Sequence, residues 1–166
     1  GVPGRVQVYA IERKPEAVEL LRKNRAQFHM DNIQIIEAPA PEGLEELPVP
    51  THAFIGGSGG RLMDILRVLY RKNPHMRIVI NAISMETIAE LKEVLDTFPV
   101  EEEEILQMQV SRVKKLLSYH LPQAENPVWI CSFTFRETGK DPMDNSKKTK
   151  PGAEETGNGK NGEVQR

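Results

Sequence analysis

Four glycines and one serine stand directly behind an apolar pair in Phe54-Ile55-Gly56-Gly57-Ser58-Gly59-Gly60, and from Arg61 onward the pattern turns into an amphipathic helix. A loop of nearly bare backbone at a helix N-terminus lets a ligand approach amide groups closely, and suits an anion such as a carboxylate. Glycines lose much entropy when ordered, which favours a ligand-binding loop over a merely flexible turn. A nucleotide phosphate loop is disfavoured because no Gly-Lys-Ser/Thr follows. Ser58 reads as a hydrogen-bond donor to substrate, since no histidine and acid stand at a spacing that would make it a nucleophile.

Other residues fall at the ends of apolar runs, where open α/β sheets bind ligands. Glu12 closes the first such run, and its carboxylate can accept hydrogen bonds from both hydroxyls of a ribose; a solvated acid near a helix start is the alternative. Arg13, next in the chain, reads from the residues alone as a surface arginine. Asn81, after Ile78-Val79-Ile80, can bond a carboxylate or lactam oxygen, or serve as a turn residue. Glu86 reads as a first-turn helix acid before an acid/base group. Arg112, with Lys114 and Lys115, offers positive charge to a substrate bearing carboxylates, or forms an ordinary solvated basic face. His29, His52 and His75 show no metal-ligand spacing, and His120 sits in a loop. No metal is expected.

The composition narrows the partners. With 28 % charged residues and a net charge of -2, no global field marks a nucleic-acid or membrane binder. The single cysteine, Cys131, excludes an internal disulfide framework and reads as a small buried hydrophobe in a reducing compartment. No apolar run approaches membrane-span length and no signal pattern opens the chain, so the cytoplasm is the expected location.

The elements that must position these residues follow from periodicity. Residues 5–12 read as a strand, followed by a helix with Pro15 in its first turn and Ala17, Leu20, Leu21, Asn24 and Phe28 on its inner face. A second strand at 33–36 ends at Glu37 before a proline-broken segment, where Leu44 and Leu47 allow one helical turn. The third strand, 52–55, leads into the glycines, and Leu62, Ile65, Leu66 and Leu69 mark the next helix, closed by Asn73-Pro74. Residues 77–81 read as a strand buried on both faces, and Ser84 caps a helix with Ile88, Leu91, Leu95 and Phe98 inward. After a charge run at 101–104, Leu106, Met108 and Val110 alternate with polar residues as a half-buried strand. A basic connection, 112–120, precedes a final apolar strand, 127–135. The alternation predicts a doubly wound α/β sheet with an antiparallel strand at one side, in a domain spanning residues 1–136. Residues 137–166 are too polar to offset their ordering entropy and are predicted to be a disordered tail.

Val8-Tyr9-Ala10-Ile11-Glu12-Arg13-Lys14-Pro15-Glu16-Ala17, Ala40-Pro41-Glu42, the glycine block, Asn81-Ala82 with Glu86-Thr87, and Asn126-Pro127-Val128 together resemble the precorrin-6Y methylase family. Within it they are most similar to the decarboxylating carbon-15 methyltransferases of cobalamin biosynthesis. The resemblance implies a class I S-adenosylmethionine-dependent methyltransferase with a Rossmann-like sheet. Its substrate would be a precorrin, with or without cobalt, methylated at carbon-15 with loss of the ring C acetate carboxyl. It implies cofactor binding at Glu12, Arg13, Ala40, Gly56 and Gly57, and substrate binding at Ser58, Gly59, Gly60, Asn81 and Arg112. Family members occur alone or fused to a second methyltransferase, commonly as homo-oligomers. The chain departs from the family at two places. The family's Asp-x-Gly-x-Gly loop and central first strand would lie ahead of Gly1-Val2-Pro3-Gly4, so the neighbours of that strand are expected to have open edges. Ala38-Pro39 replaces a Gly-Asp pair, and proline supplies neither carboxylate nor N–H to an adenine. A non-catalytic α/β interaction domain that no longer binds the cofactor is the alternative; an oxidoreductase lacks its glycine fingerprint here.

Overall fold

The computed structural model describes residues 6–139 and residue 142. The elements run β1 (Val8–Glu12), α1 (Pro15–Gln27), β2 (Ile33–Glu37), β3 (His52–Ile55), α2 (Leu62–Lys72), β4 (Arg77–Ala82), α3 (Met85–Thr97), β5 (Val100–Met108), β6 (Ser111–Leu116), β7 (Tyr119–Ala124) and β8 (Val128–Phe135). Apart from residues 137–139 and 142, the predicted tail lies outside the described residues.

The strands form a parallel pair, β1-β2, a four-stranded sheet in the order β3-β4-β8-β5, and a separate antiparallel hairpin, β6-β7. β1 and β2 run in parallel register from Val8 opposite Ile33 to Glu12 opposite Glu37. β3 and β4 are also parallel, each pair joined through a helix as parallel geometry requires. Among the described residues β1 pairs only with β2, and β3 only with β4. β1 and β3 each leave one edge open among the described residues, as the family resemblance implies. The antiparallel strand is β8, and it lies inside the sheet between β4 and β5 instead of at its side.

One face of the four-stranded sheet makes the core. Ile78, Ile80, Cys131, Phe133 and Phe135 are buried there against Leu62, Ile65, Leu66, Leu69 and Tyr70 of α2 and Leu91 and Val94 of α3. Tyr70, Phe98, Phe133 and Phe135 meet with ring centroids 5.2–5.9 Å apart, in tilted and edge-on arrangements that aromatic quadrupoles favour. The other face carries Phe54, Val79, Asn81 and Ile130 in successive strands, and Phe54 is 67 % exposed. The β4 strand is therefore fully buried on one face only. α1 begins with Pro15 at its first turn as expected, but it buries Val18, while Leu20, Asn24 and Phe28 point outward. A helix lying on a two-stranded pair has only a narrow strip to cover, and Val18 with half-buried Leu21 fills it.

The chain after α3 differs most from the periodicity. The acidic run 101–104 belongs to β5, where the register slips between Glu101 and Glu104 and Glu102 takes a left-handed φ of 53°. The basic connection is the β6-β7 hairpin itself, paired from Ser111 opposite Ala124 to Leu116 opposite Tyr119. No apolar alternation marks either strand because both of their faces are exposed.

Candidate functional site

The glycine loop leaves β3 at buried Ile55 and enters α2 at buried Leu62. Gly59 and Gly60 have φ of +60° and +82°, a left-handed conformation that side chains resist, whereas nothing stands within 4 Å of a methyl group placed on Gly57. Arg61, at the N-cap of α2, provides no side-chain cap. Its place is taken by Glu90 of α3, whose Oε2 accepts from the Leu62 N–H at 3.3 Å and from the Ser58 hydroxyl at 3.2 Å. A carboxylate at this end of the helix also meets the positive pole of the α2 dipole. Glu90 thus fixes both ends of the Ser58–Leu62 turn. Nothing local in the sequence marks it, since it stands 32 residues from Ser58 and 28 from Leu62.

Glu12 is half-buried at the end of β1. Its Oε1 accepts from the backbone N–H groups of Arg13 at 2.8 Å and Lys14 at 2.9 Å, and its backbone carbonyl accepts from Ala38 N–H at 3.0 Å. One carboxylate oxygen is thereby anchored and the other left to accept, which fits the recognition of a ribose diol. Arg13 reaches from the same strand end to the loop: a methyl group on Gly59 would lie 3.4 Å from its guanidinium. The carboxyl ends of β1 and β3 therefore open on one side, as binding in a sheet crevice requires.

A third strip of residues, 38–50, ties the parallel pair to α2. Arg61 Nη1 donates to both oxygens of Glu42 at 2.9 and 2.7 Å, Arg71 pairs with Glu45 at 2.9 Å, and Lys72 donates to the Glu45 carbonyl at 2.8 Å. The Arg61 hydrogen bond, followed by one from its own backbone N–H, holds the Glu42 carboxyl below its ordinary range. Leu44 joins the core and half-buried Ala40 packs against it, while Pro39 is exposed. Leu44 and Leu47 sit in successive turns and not in a helix.

Asn81 stands on the sheet face away from the core, opposite Ile130 of β8. Ile130 lines an open groove together with Met108, Val110, Arg112, Asn126 and Val128. Arg112 is exposed there and pairs with Glu125 at 3.2 Å. The predicted residues therefore gather in two places. At the strand ends Arg13, beside Glu12, reaches Gly59 of the glycine loop, and Arg112 lies in the groove beside the partner strand of Asn81. Glu86 is exposed in the first turn of α3, which Ser84 caps by accepting from Thr87 N–H at 3.2 Å. Burial, with the Glu103 charge adding to it and Arg77 opposing, pushes the Cys131 thiol up to about 11, so it stays a neutral core group. Among the described residues no helix is long and apolar enough to cross a membrane.

Comparison with known proteins agrees with this layout. A family model for the precorrin methyltransferase domain matches residues 3–134. A probable cobalt-precorrin-6B C(15)-methyltransferase (decarboxylating) of Methanothermobacter thermautotrophicus is 37 % identical over 141 residues, covering 83 % of this chain and 73 % of the relative. The crystal structure of a precorrin-6y C5,15-methyltransferase from Geobacter metallireducens superimposes with a TM-score of 0.70 at 33 % identity, over 78 % of this chain and 67 % of that one. At 14 % identity, a SAM-dependent O-methyltransferase from Thermotoga maritima shares the fold alone, with a TM-score of 0.61 over 83 % of this chain and 53 % of that one. The fold is the Rossmann-like α/β architecture of class I SAM-dependent methyltransferases, and the chain belongs to the precorrin methyltransferase domain family.

Proposed function

We propose that this chain takes part in S-adenosylmethionine-dependent methylation of carbon-15 of a precorrin, with decarboxylation of the ring C acetate. The observation that carries the reading is the reach of Arg13, next to the anchored Glu12 at the end of β1, to Gly59 of the glycine loop that follows β3. When bound, the cofactor supplies an electrophilic methyl group. Glu12 accepts the ribose hydroxyls through its free oxygen, and Arg13, Ala40, Gly56 and Gly57 border the nucleoside. Ser58, Gly59, Gly60, Asn81 and Arg112 face the tetrapyrrole, with Arg112 in place to pair with a propionate or acetate. Methyl transfer asks for alignment and exclusion of water more than for acid/base groups. Loss of carbon dioxide leaves an electron pair that the conjugated macrocycle takes up and a proton replaces. The reading places the work in the cytoplasm, and in a homo-oligomer. No observation favours a non-catalytic interaction domain.

Calorimetric titration of S-adenosylmethionine into the protein tests the donor half. A saturable heat is expected, and Glu12→Gln should weaken binding by about tenfold, the worth of a charge-assisted hydrogen bond. Absence of heat, or an unchanged isotherm for the variant, defeats the assignment. With a precorrin substrate, mass spectrometry should show one methyl gained and one carbon dioxide lost.

A further inference from the structure

Ser58 has one hydroxyl proton, and it goes to Glu90 Oε2 across 3.2 Å, because a carboxylate can only accept. What Ser58 has left for a ligand is its lone pairs. The residues alone read this serine as a donor and the loop as a seat for a carboxylate, and Glu90 reverses both expectations. Its Oε2 also takes the Leu62 N–H at 3.3 Å, so an internal acid already stands at the positive end of α2, where an anionic ligand group would have to bind. The other oxygen, Oε1, accepts no hydrogen bond among the described residues and faces Gly60, where an added methyl group would lie 3.9 Å from it.

The charge of Glu90 has no side-chain counterpart. It forms no ion pair among the described residues, and its neighbours one turn away on α3 are Glu86 and Thr87 before it and Glu93 and Val94 after it, none of them basic. The arginines that open α2 are engaged with other acids, Arg61 with Glu42 at 2.7 Å and Arg67 with Asp64 at 3.6 Å. Arg13 brings its charge to Gly59, which leaves Ser58, Gly60 and the start of α2 to Glu90. A second negative charge at this place would meet like-charge repulsion, while a donor or a cation would meet two open acceptors.

We propose that Glu90 is a specificity-determining residue of the site. Together with Ser58 it makes the glycine loop admit a cationic or N–H-bearing ligand group and turn carboxylates away. This role rests on the reading given above, in which the loop faces ligand, and sharpens it. The propionates and acetates of a tetrapyrrole are left to the groove that holds Arg112. The loop takes a donor, which is either an N–H of the macrocycle or the ammonium of the cofactor's amino-acid part.

Amide NMR of the isotope-labelled chain, with inorganic phosphate as the probe and the urea midpoint as a control for folding, tests the charge without cofactor or substrate. The Ser58, Leu62 and Met63 amides of the wild type should not respond to phosphate. In Glu90→Gln, which keeps an acceptor for Ser58 and Leu62, they should shift and saturate, with affinity raised by about tenfold or more. Ser58→Ala, which removes one acceptor and leaves the charge, should stay as indifferent as the wild type. Wild-type amides that saturate with phosphate overturn the proposal, and so does a Glu90→Gln chain that ignores it, since Glu90 would then be a helix cap and nothing more. Calorimetry identifies the source of the donor. Loss of affinity in Glu90→Gln and Ser58→Ala for S-adenosylmethionine assigns it to the cofactor, and loss for a precorrin alone assigns it to the macrocycle; two ligands that bind the wild type and both variants equally overturn the acceptor role. A wild type that binds no S-adenosylmethionine would defeat the proposed function and leave the phosphate result standing, so the two readings fail separately.

Discussion

Glu90 holds the loop geometry from outside the loop. Its carboxylate holds the Ser58 hydroxyl and the first N–H of α2 at once, in a half-buried position. Replacing it with alanine should cost about 1–2 kcal/mol, as loss of a helix cap does, measured as a lowered urea midpoint. Glu90→Gln should recover part of this by keeping the acceptor. The pair Glu42–Arg61 gives a pH signature of its own. A carboxyl held below its ordinary value of 4.5 adds stability that is fully present above that pH and disappears as pH falls through the lower, folded value. Urea midpoints followed on acidification should therefore drop more for the wild type than for Glu42→Gln; equal slopes would show the pair to be thermodynamically silent. Residue roles were only partly legible in the sequence. Glu12 could be read because strand and helix patterns place it at a strand end, whereas Glu90 acts on a turn about thirty residues away through folding alone.

At the scale of elements, the loop into α2 sets unequal demands on its glycines. Gly59→Ala should destabilise by about 1–2 kcal/mol, because its left-handed φ opposes a side chain, while the Arg13 guanidinium makes only ordinary contact with the added methyl. Gly57→Ala meets open space and should leave the denaturation midpoint nearly unchanged, so the two variants compared by chemical denaturation separate backbone strain from loop flexibility. The strands and helices up to α3 were legible because each has one buried stripe, and apolar periodicity records burial. Of β5 only the end near 106–108 was legible, by an alternation that promised half-burial where both faces are exposed, and β6 and β7 were not, since strands with two wet faces carry no such record. The outward turn of Leu20 and Phe28 on α1 has a related cause. Periodicity shows which side of a helix is apolar, but the width of the sheet beneath decides how much of that side is covered.

The whole molecule is organised around the α2-centred core. Phe133→Ala, which empties a fully buried position in the aromatic cluster, should cost about 3–5 kcal/mol and is expected to prevent folding at elevated temperature in a thermal melt. The parallel pair β1-β2 stands outside that core in one respect: among the described residues it shares no backbone ladder with the four-stranded sheet. Side chains fasten it among the described residues, through Ile11 packed on the core and Arg13 beside Gly59, with Glu42 on Arg61 and Glu45 on Arg71 in the segment that follows β2. The proposed site is therefore a seam along which residues 8–37 are expected to open at lower free energy than the core, since they share no backbone hydrogen bonds with it among the described residues. A ligand touching both Glu12 and the glycine loop would act as a stitch across the seam. Amide exchange in residues 8–37 should slow when such a ligand is present, by an amount that grows with ligand concentration, while β4 and β8 stay unchanged.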